Sequence, residues 1–324
     1  MTWLITGGAG YIGAHVVAET LKSGRELIVL DDLSSGVAAR LPSGIEVERV
    51  TLTDAGAVES VFAKHYIQGV IHLAAKKKVG ESVERPDYYW QENVGGFQNL
   101  VTAMRRHGVL NLVFSSSAAV YGAPNIEPGQ TISEFENCAP INPYGLTKLE
   151  GEIISEALTV SDGFKVAALR YFNVAGAGQP ELGDQFAFNL VPIVFEAMDS
   201  GLPPKVFGND YSTPDGSCIR DYVHVQDLAE AHVAAMNLVE SMQPGFEVVN
   251  IGTGVGASVF EVMSMVQYVT GIELNPEIVD RREGDPAALV ADVSKARDIL
   301  DWESRFQLRD IVQSAWNAWQ VSHK

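Results

Sequence analysis

Cysteine is scarce in this sequence, which has only Cys138 and Cys218 among its 324 residues. The two lie far apart and form neither a CxxC pair nor the spacing of a metal site. A disulfide framework is therefore not expected, and the composition fits a reducing compartment such as the cytoplasm. We predict no metal site.

Long apolar runs are also missing. Glycine, proline or a charged residue interrupts every hydrophobic stretch within about ten residues, whereas roughly 20 are needed to cross a bilayer. The first residues, MTWLIT, carry no basic segment and no apolar stretch of the kind found in secretory signals. Neither a membrane span nor a signal peptide is expected.

Positive charge is in short supply, with 23 Lys and Arg against 41 Asp and Glu and a formal net charge of −18. Nucleic acids and anionic membranes are bound mainly by arrays of Lys and Arg, so neither is an expected partner. A small phosphate-bearing ligand remains compatible, because a few local cations and a helix N-terminus are enough to bind it.

The first half of the chain alternates short apolar runs with amphipathic segments. The apolar runs, which read as buried parallel strands, are residues 3–6, 26–30, 69–73, 111–115 and 165–170, and helix-like segments such as 14–23 and 55–65 lie between them. This alternation predicts an α/β fold with a Rossmann-type doubly wound parallel sheet.

The regularity fades beyond about Asn173, where Gly/Pro-rich runs begin. We therefore predict one domain over residues 1–172 and a smaller mixed α/β domain over residues 173–324. Segments within 221–251 return to strand-like and helical patterns, so they could pack on the first domain.

A glycine-rich segment, TGGAGYIG at residues 6–13, follows the first predicted strand and opens the first helix. Gly7, Gly10 and Gly13 allow a tight turn and a close approach of the backbone to a pyrophosphate at the helix N-terminus. Asp31 ends the second strand, where a carboxylate accepts hydrogen bonds from the adenosine ribose and repels a 2′-phosphate. Asp32 adds to that repulsion, so NAD is the expected cofactor rather than NADP.

Tyr144 and Lys148 lie four residues apart, on one face of a helix predicted to begin near Asn142 or Pro143. A cation beside a phenol favours its ionised form, which makes the phenol a better base at neutral pH. Alone, the two would also fit an ordinary surface pair. The serine run 115–117 follows an apolar strand, so Ser117 is expected at the carboxyl end of the sheet, close enough to bond the Tyr144 phenol and a substrate hydroxyl.

The chain resembles the extended short-chain dehydrogenase/reductases, and among them the UDP-glucose (UDP-galactose) 4-epimerases, over nearly its whole length. Besides residues 6–13 and Asp31, the motifs that carry the resemblance are HLAAKKKVGES at 72–82, SSSAAVYG at 115–122, YGLTK at 144–148, RYFNVAGA at 170–177, FGNDY at 207–211, GSCIRDYVHVQDLA at 216–229, NIGTG at 250–254 and RREGD at 281–285.

The resemblance implies an isomerase that moves a hydride from the sugar C4 to a tightly held NAD and back to the other face of a 4-keto sugar. Tyr144 would remove the proton of the 4-hydroxyl, Lys148 would lower the pKa of Tyr144 and hold the nicotinamide ribose, and Ser117 would orient the hydroxyl. The domains would then bind NAD (1–172) and the UDP-sugar (173–324). A homodimer is implied by the same resemblance.

Other site residues are assigned by motif. On the cofactor side they are Tyr11, Ile12, Asp32, Leu52, Leu73, Ala74, Ala75, Lys77, Asn93, Ser115, Tyr144, Lys148 and Tyr171. On the UDP-sugar side they are Lys77, Ser117, Tyr144, Asn173, Asn189, Leu190, Lys205, Phe207, Tyr211, Arg220, Arg282 and Asp285. Arg220 and Arg282 would clamp the diphosphate with their bidentate guanidinium groups, and Phe207 and Tyr211 would border the uridine.

Three positions depart from the pattern of this family. Thr51 replaces an Asp that would bond the adenine amino group, and Ala119 replaces a common Thr near the sugar. Leu289 stands where the size of the side chain limits the room for a 2-acetamido group.

Several functional alternatives remain open. Ala118 and Ala119 cannot supply the acid/base pair that a sugar-nucleotide 4,6-dehydratase needs, so dehydration is disfavoured. UDP-glucuronate or a UDP-N-acetylhexosamine would use the same machinery as a plain UDP-hexose. A non-catalytic NAD-sensing protein shares the fold, but it would not need Tyr144, Lys148 and Ser117 together.

Overall fold

The computed structural model describes residues 2–124, 129–186, 189–282 and 284–323. The first half of the described chain alternates strands and helices: β1 Thr2–Thr6, α1 Tyr11–Lys22, β2 Glu26–Leu30, β3 Val47–Glu48, α2 Ala55–Lys64, β4 Ile67–His72, α3 Val79–Glu84, α4 Pro86–Tyr89, α5 Gly96–Arg106, β5 Asn111–Ser115, α6 Pro143–Asp162 and β6 Lys165–Tyr171. A π-helical turn, Trp90–Gly95, joins α4 to α5, and one 3₁₀ turn, Ala118–Tyr121, follows β5.

The second half is less regular: β7 Asn173–Ala175, α7 Leu190–Asp199, β8 Lys205–Phe207, β9 Ile219–His224, α8 Val225–Ser241, β10 Gly245–Ile251, β11 Gly256–Ser258, α9 Val259–Thr270, β12 Glu277–Val279, β13 Ala288–Leu289, α10 Ser294–Leu300 and α11 Leu308–Ser322.

Seven strands form one parallel sheet in the order β10-β6-β5-β4-β1-β2-β3. The predicted α/β class with a doubly wound parallel sheet is confirmed, and each of the five predicted strands lies within about two residues of its expected position. The strand order reverses between β1 and β4. In such sheets the crevice at the carboxyl ends of the strands on either side of the reversal is where ligands bind.

Alternate side chains of β1 enter two separate cores. Trp3 and Ile5 pack into a cluster that includes residues of α1 and α8, whereas Leu4 packs into a cluster with residues of α2 and α5. Both faces of the sheet are therefore covered by helices, which is why its strands are apolar almost throughout rather than alternating.

The chain returns to this sheet late. β10 pairs with β6 along all seven of its residues, and α8 packs against α1, β5 and β6. The 1–172/173–324 division stays a prediction, since these two elements, from residues 225–251, lie against the first layer.

Most of the second half forms its own core around Phe195, Val262 and Trp319. Its sheet has the order β11-β9-β13, with β7 also paired to β9, and β12 and β8 form a separate two-stranded sheet. Across the described ranges, no helix has the length and apolar character that crossing a membrane requires.

Candidate active site

A cleft of about 760 Å³ opens where the carboxyl ends of β1, β2, β4 and β5 meet the second half of the chain. Most of the predicted site residues line it: Gly7, Gly10, Tyr11, Ile12, Gly13, Asp31, Asp32, Leu52, Leu73, Ala74, Ala75, Lys77, Asn93, Ser117, Tyr144, Lys148, Tyr171, Asn173, Asn189 and Arg220. This volume and elongated lining suit a dinucleotide together with a second ligand.

The glycine turn forms the floor of this cleft. Gly7 has φ +72°, and a Cβ there would lie 2.7 Å from the Ala74 backbone nitrogen. A Cβ on Gly13 would lie 2.1 Å from the Gly7 carbonyl oxygen, so neither position admits a side chain. Gly10 caps α1, whose first N–H groups and helix dipole face the cleft and can bind a diphosphate.

Asp31 is 6% exposed at the end of β2. Its carboxylate accepts hydrogen bonds from the backbone N–H groups of Ala9 and Leu33, each at 2.9 Å. Burial raises the pKa of Asp31, and these two hydrogen bonds act in the opposite direction. The bonds fix the carboxylate beside the glycine turn, where its remaining lone pairs can accept ribose hydroxyls.

Three cations that line the cleft, Arg40, Lys76 and Lys78, were not predicted from the sequence. Arg40 is 5% exposed, and its Nη2 donates to the Gly183 carbonyl oxygen at 2.8 Å, which joins the loop after β2 to the second half of the chain. Lys76 Nζ donates to Ser34 Oγ at 3.0 Å across the cofactor side. The lysine run 76–78 was visible in the sequence, but no local signal distinguishes Arg40 from a surface arginine.

The helix that carries Tyr144 and Lys148 begins as predicted, at Pro143. Asn142 caps it by accepting a hydrogen bond from the Gly145 N–H at 2.8 Å, and proline fits the first helical position because no N–H is needed there. Tyr144 and Lys148 are 8% and 4% exposed, so they lie on the inner face of α6 rather than at the surface. The alternative of an ordinary surface pair is excluded by this burial.

Ser117 faces Tyr144 from the end of β5. Its hydroxyl faces the Tyr144 phenol closely enough to lower the pKa of that phenol, and it accepts the Ala119 N–H at 3.2 Å. Burial raises the pKa of Tyr144, and the Ser117 hydroxyl lowers it by less. The phenol is therefore protonated at neutral pH in this geometry.

Lys148 does not produce the predicted lowering of the Tyr144 pKa in this geometry. Its Nζ donates to the Ser115 carbonyl oxygen at 2.6 Å and lies 5.3 Å from the centre of the Phe114 ring. Burial lowers the pKa of Lys148 to about 8, and the Glu152 charge opposes that shift. The spacing in the sequence predicted that Tyr144 and Lys148 share one face of the helix, whereas the desolvation of both groups depends on the packed tertiary structure.

Ser115 lies beneath the cleft rather than on its surface. Its hydroxyl bonds to His232 Nε2 at 2.9 Å, and it lowers the pKa of the neighbouring Tyr171 phenol, which burial raises by more. Asn93 has a similar supporting geometry: its side chain bonds both backbone groups of Lys76, at 2.8 and 3.0 Å, and the Thr147 hydroxyl at 3.0 Å. These contacts tie the loop after β4 to α6.

Arg220 and Leu289 form the substrate side of the cleft, on the paired strands β9 and β13. Arg220 is 8% exposed, and its Nη2 lies 2.6 Å from Asp285 Oδ1. Asn189 caps α7 and donates to Asp184 Oδ2 at 2.8 Å. One arginine, one aliphatic side chain and one amide thus face the same space.

The remaining predicted residues do not line this cleft: Ser115, Leu190, Lys205, Phe207, Tyr211, Arg282 and Asp285. Several of them form two stacked pairs, in which the Arg282 guanidinium lies 3.8 Å from the centre of the Phe207 ring and that of Arg281 lies 4.1 Å from the Tyr211 ring. Asp285 reaches the cleft only through its ion pair with Arg220.

The three departures noted in the sequence all line the cleft. Thr51 bonds the Thr53 hydroxyl at 2.9 Å, Ala119 presents a methyl group beside Ser117, and Leu289 is 9% exposed.

In the described part of the chain, one group of side chains has the geometry of a metal site: Glu46, Glu48 and His65. Lys64 Nζ bonds both carboxylates, at 2.8 and 2.6 Å, so an ammonium already neutralises the group. It is also absent from the lining of the cleft.

Comparison with known proteins gives a consistent result. The profile of the NAD dependent epimerase/dehydratase family matches residues 3–252. The chain is 43% identical to a UDP-glucose 4-epimerase of Halalkalibacterium halodurans, over 100% of this chain and 96% of that protein.

Two solved structures have the same fold. One is a UDP-glucose-4-epimerase from Stenotrophomonas maltophila with bound NAD and formylated UDP-arabinopyranose (TM-score 0.93, 35% identity, 100% of this chain and 98% of that one). The other is a UDP-glucose 4-epimerase from Brucella ovis in complex with NAD (TM-score 0.93, 38% identity, 98% of each chain).

Proposed function

This chain belongs to the NAD dependent epimerase/dehydratase family, and we propose that within it the chain interconverts UDP-galactose and UDP-glucose through a transient 4-keto sugar. It is an isomerase that uses NAD. The observation that carries the proposed reaction is that Ser117 and the buried Tyr144 and Lys148 line one cleft, which also contains the glycine turn.

The residues present fit NAD. The glycine turn leaves no room for a side chain between Gly7 and the N-terminus of α1, so a diphosphate can approach the helix N–H groups. Asp31 is fixed at the end of β2 to accept the ribose hydroxyls. The glycine turn, the N-terminus of α1 and Asp31 would hold NAD, which would supply a hydride acceptor and donor for the sugar C4.

The proton is handled by this chain's own side chains. Ser117 holds the sugar 4-hydroxyl toward the Tyr144 oxygen, which removes its proton and later returns it. The phenol must lose its own proton for this, although burial raises its pKa. Positive charge is what lowers the pKa of a buried phenol, so Lys148 contributes once its ammonium turns from Ser115 toward Tyr144.

The proposed ligand of the second half of the chain is a UDP-sugar. Arg220 faces the cleft, and its guanidinium has more N–H donors than Asp285 and the Ile219 carbonyl oxygen use, so it can also bind a diphosphate oxygen. The stacked pairs Arg282–Phe207 and Arg281–Tyr211 lie outside the cleft lining, so a uridine would meet them only where the UDP-sugar extends beyond it. Leu289 is smaller than a Tyr, which would restrict the room for a 2-acetamido group, so UDP-N-acetylhexosamine is an alternative substrate; UDP-glucuronate is a second alternative, which would differ in its contacts at C6.

We also propose a homodimer and a cytoplasmic location. Leu146, Ile153 and Val160 form an exposed apolar stripe at seven-residue spacing on α6, with exposed fractions of 47%, 52% and 87%. Such a stripe on a long helix suits a second copy of the same helix. Light scattering after gel filtration tests the homodimer, and a monomer at micromolar concentration would contradict it.

The scarcity of cysteine supports the proposed cytoplasmic location.

The reaction is tested by incubating the purified protein with UDP-galactose and no added reductant. UDP-glucose should appear, and NAD should be recovered from the denatured protein. UDP-glucuronate and UDP-N-acetylglucosamine, assayed in parallel, identify the preferred sugar. Bound NAD with no conversion of any UDP-sugar would favour a non-catalytic NAD-sensing protein instead.

A further inference from the structure

Three consecutive serines, residues 115–117, are each held by a different side chain of α6. The carbonyl oxygen of Ser115 accepts Lys148 Nζ at 2.6 Å, and the hydroxyl of Ser117 faces the Tyr144 phenol and lowers its pKa. Between them, the hydroxyl of Ser116 donates to Glu152 Oε1 at 2.5 Å. The segment that presents the catalytic serine is thus fixed at every residue.

The three partners on α6 follow at four-residue steps. Tyr144, Lys148 and Glu152 therefore lie one above the other on the same face of the helix. The first two belong to the proposed proton chemistry. Glu152 is 3% exposed and has no place in that chemistry, yet it touches the same serine segment.

Arg170 fixes the orientation of the Glu152 carboxylate. Its Nε donates to Oε1 at 2.9 Å and its Nη2 to Oε2 at 2.6 Å, in the bidentate geometry that a guanidinium and a carboxylate favour. Arg170 comes from β6 and is itself held by the Tyr121 hydroxyl at 3.1 Å. Because the carboxylate cannot rotate freely, the lone pair of Oε1 that Ser116 uses has a fixed direction.

Charged and titratable groups around Lys148 are few. Glu152 lies one turn away on α6, Tyr144 one turn away on the other side, and His72 faces Lys148 from β4. Burial lowers the pKa of His72 to about 3, so this histidine is uncharged at neutral pH. Glu152 is therefore the group whose negative charge opposes the burial of the Lys148 ammonium.

We propose that Glu152 is a positioning residue of the epimerase site, which holds Ser116 so that Ser117 meets Tyr144, and which supplies the negative charge that the Lys148 ammonium faces. The proposal rests on the proposed function for its kinetic consequences. Its electrostatic part concerns Lys148 alone and is independent of the substrate.

The electrostatic part is tested with Glu152→Gln, which keeps the shape of the side chain and removes its charge. In the NAD-loaded protein without substrate, carbon-13 NMR of the lysine Cε should show the titration of Lys148 shifted down by about one pH unit. The high-pH limb of kcat should shift by the same amount. An unchanged Lys148 titration would overturn this part, whether or not the protein converts UDP-galactose.

A second variant covers the case in which Glu152→Gln leaves Arg170 unpaired and does not fold. The double variant Glu152→Gln/Arg170→Met removes both charges together. The pKa of Lys148 in this variant should still be lower than the pKa of Lys148 in the parent protein. If the pKa of Lys148 in this variant equals or exceeds its pKa in the parent, the electrostatic part is overturned as well.

The positioning part is tested with Ser116→Ala, which leaves the Glu152–Arg170 pair intact. We expect kcat to fall about tenfold, with KM within about twofold and the high-pH limb unmoved, because only the placement of Ser117 is disturbed. The matched control is Ser155→Ala, a buried serine of α6 whose hydroxyl, among the described residues, bonds only the Gly151 carbonyl oxygen, at 2.7 Å. Equal kcat values for Ser116→Ala and the parent would overturn the positioning part of the proposal.

Discussion

Arg220 and Leu289 occupy paired positions on two neighbouring parallel strands, β9 and β13, and both line the active-site cleft. The residue proposed to hold the diphosphate and the residue proposed to limit the size of the sugar are therefore fixed relative to each other by backbone hydrogen bonding. A change in one strand moves both groups together, so the distance from phosphate to sugar is set by the sheet rather than by mobile loops.

Replacing Leu289 should change sugar selection more than turnover. Leu289→Ala enlarges the cleft, and we expect kcat/KM for UDP-N-acetylglucosamine relative to UDP-galactose to rise about tenfold, whereas Leu289→Tyr should lower the ratio by a similar factor. Competition assays with both sugars measure this ratio. Val290→Ala is the control, since its buried side chain lies outside the cleft lining. If the ratio of the two kcat/KM values were the same in the parent and in both variants, the assignment of Leu289 to sugar selection would be refuted.

Removing the charge of Arg220 should weaken binding of the diphosphate. In Arg220→Met, Asp285 also loses its partner, and we expect the Kd for UDP to rise about a hundredfold, as for loss of a buried charged contact. Titration calorimetry gives the value. Arg305→Met is the comparison, because Arg305 is exposed and paired with Glu230 on the surface. A Kd for UDP within about twofold of the parent value would contradict the proposed binding of the diphosphate by Arg220.

Tyr144→Phe should abolish the reaction and keep the cofactor. Loss of the phenol removes the only predicted proton acceptor for the sugar, so we expect kcat to fall by about 10³ or more while bound NAD, measured after denaturation, is unchanged. Tyr222→Phe alters a buried tyrosine outside the cleft and should leave kcat unchanged. Residual activity above about one tenth of the parent would exclude Tyr144 as the base.

Asp31 should set both the retention of NAD and the rejection of NADP. Asp31→Ala removes the carboxylate that Ala9 and Leu33 hold in place, and we expect at least about tenfold weaker NAD binding with a smaller preference over NADP. The nucleotide released on denaturation, together with Kd values for both forms, tests this. Asp32→Ala should have a weaker effect. If Asp31→Ala kept the parent's NAD preference, the role of Asp31 would be wrong.

Stability should fall as the pH drops from about 6.5 toward about 4. Burial lowers the pKa of His15, His224 and His232 to about 4 and that of His72 to about 3. The unfolded chain then binds more protons than the folded one in this range, so the stabilisation is complete above pH 6.5 and is lost on acidification. Urea titrations at about pH 7 and pH 5 should differ by at least about 2 kcal/mol. Equal free energies of unfolding at the two pH values would contradict the predicted loss of stability on acidification.

The sequence predicted what is local. Hydrophobic runs located five strands, Asn142 and Pro143 located the start of α6, and the step from Tyr144 to Lys148 placed both on one face. Each of these depends on neighbours within a few residues, which a linear pattern contains.

What the sequence could not predict depends on distant partners. The bond from Lys148 to Ser115, the ion pair of Glu152 with Arg170 and the neighbouring positions of Arg220 and Leu289 join separate elements. The raised pKa of Tyr144 has the same origin, since burial is a property of the packed structure and is not visible in the spacing of two residues.

The pairing of β10 with β6 also determines when the protein can fold during synthesis. Until residue 251 has left the ribosome, β6 is an open edge with seven unpaired residues, and the surface that α8 covers is bare. Open strand edges recruit other chains, so a nascent or truncated chain that stops after β6 is expected to aggregate. The seven-stranded parallel sheet can therefore be completed only after β10, in the second half of the chain, has been synthesised.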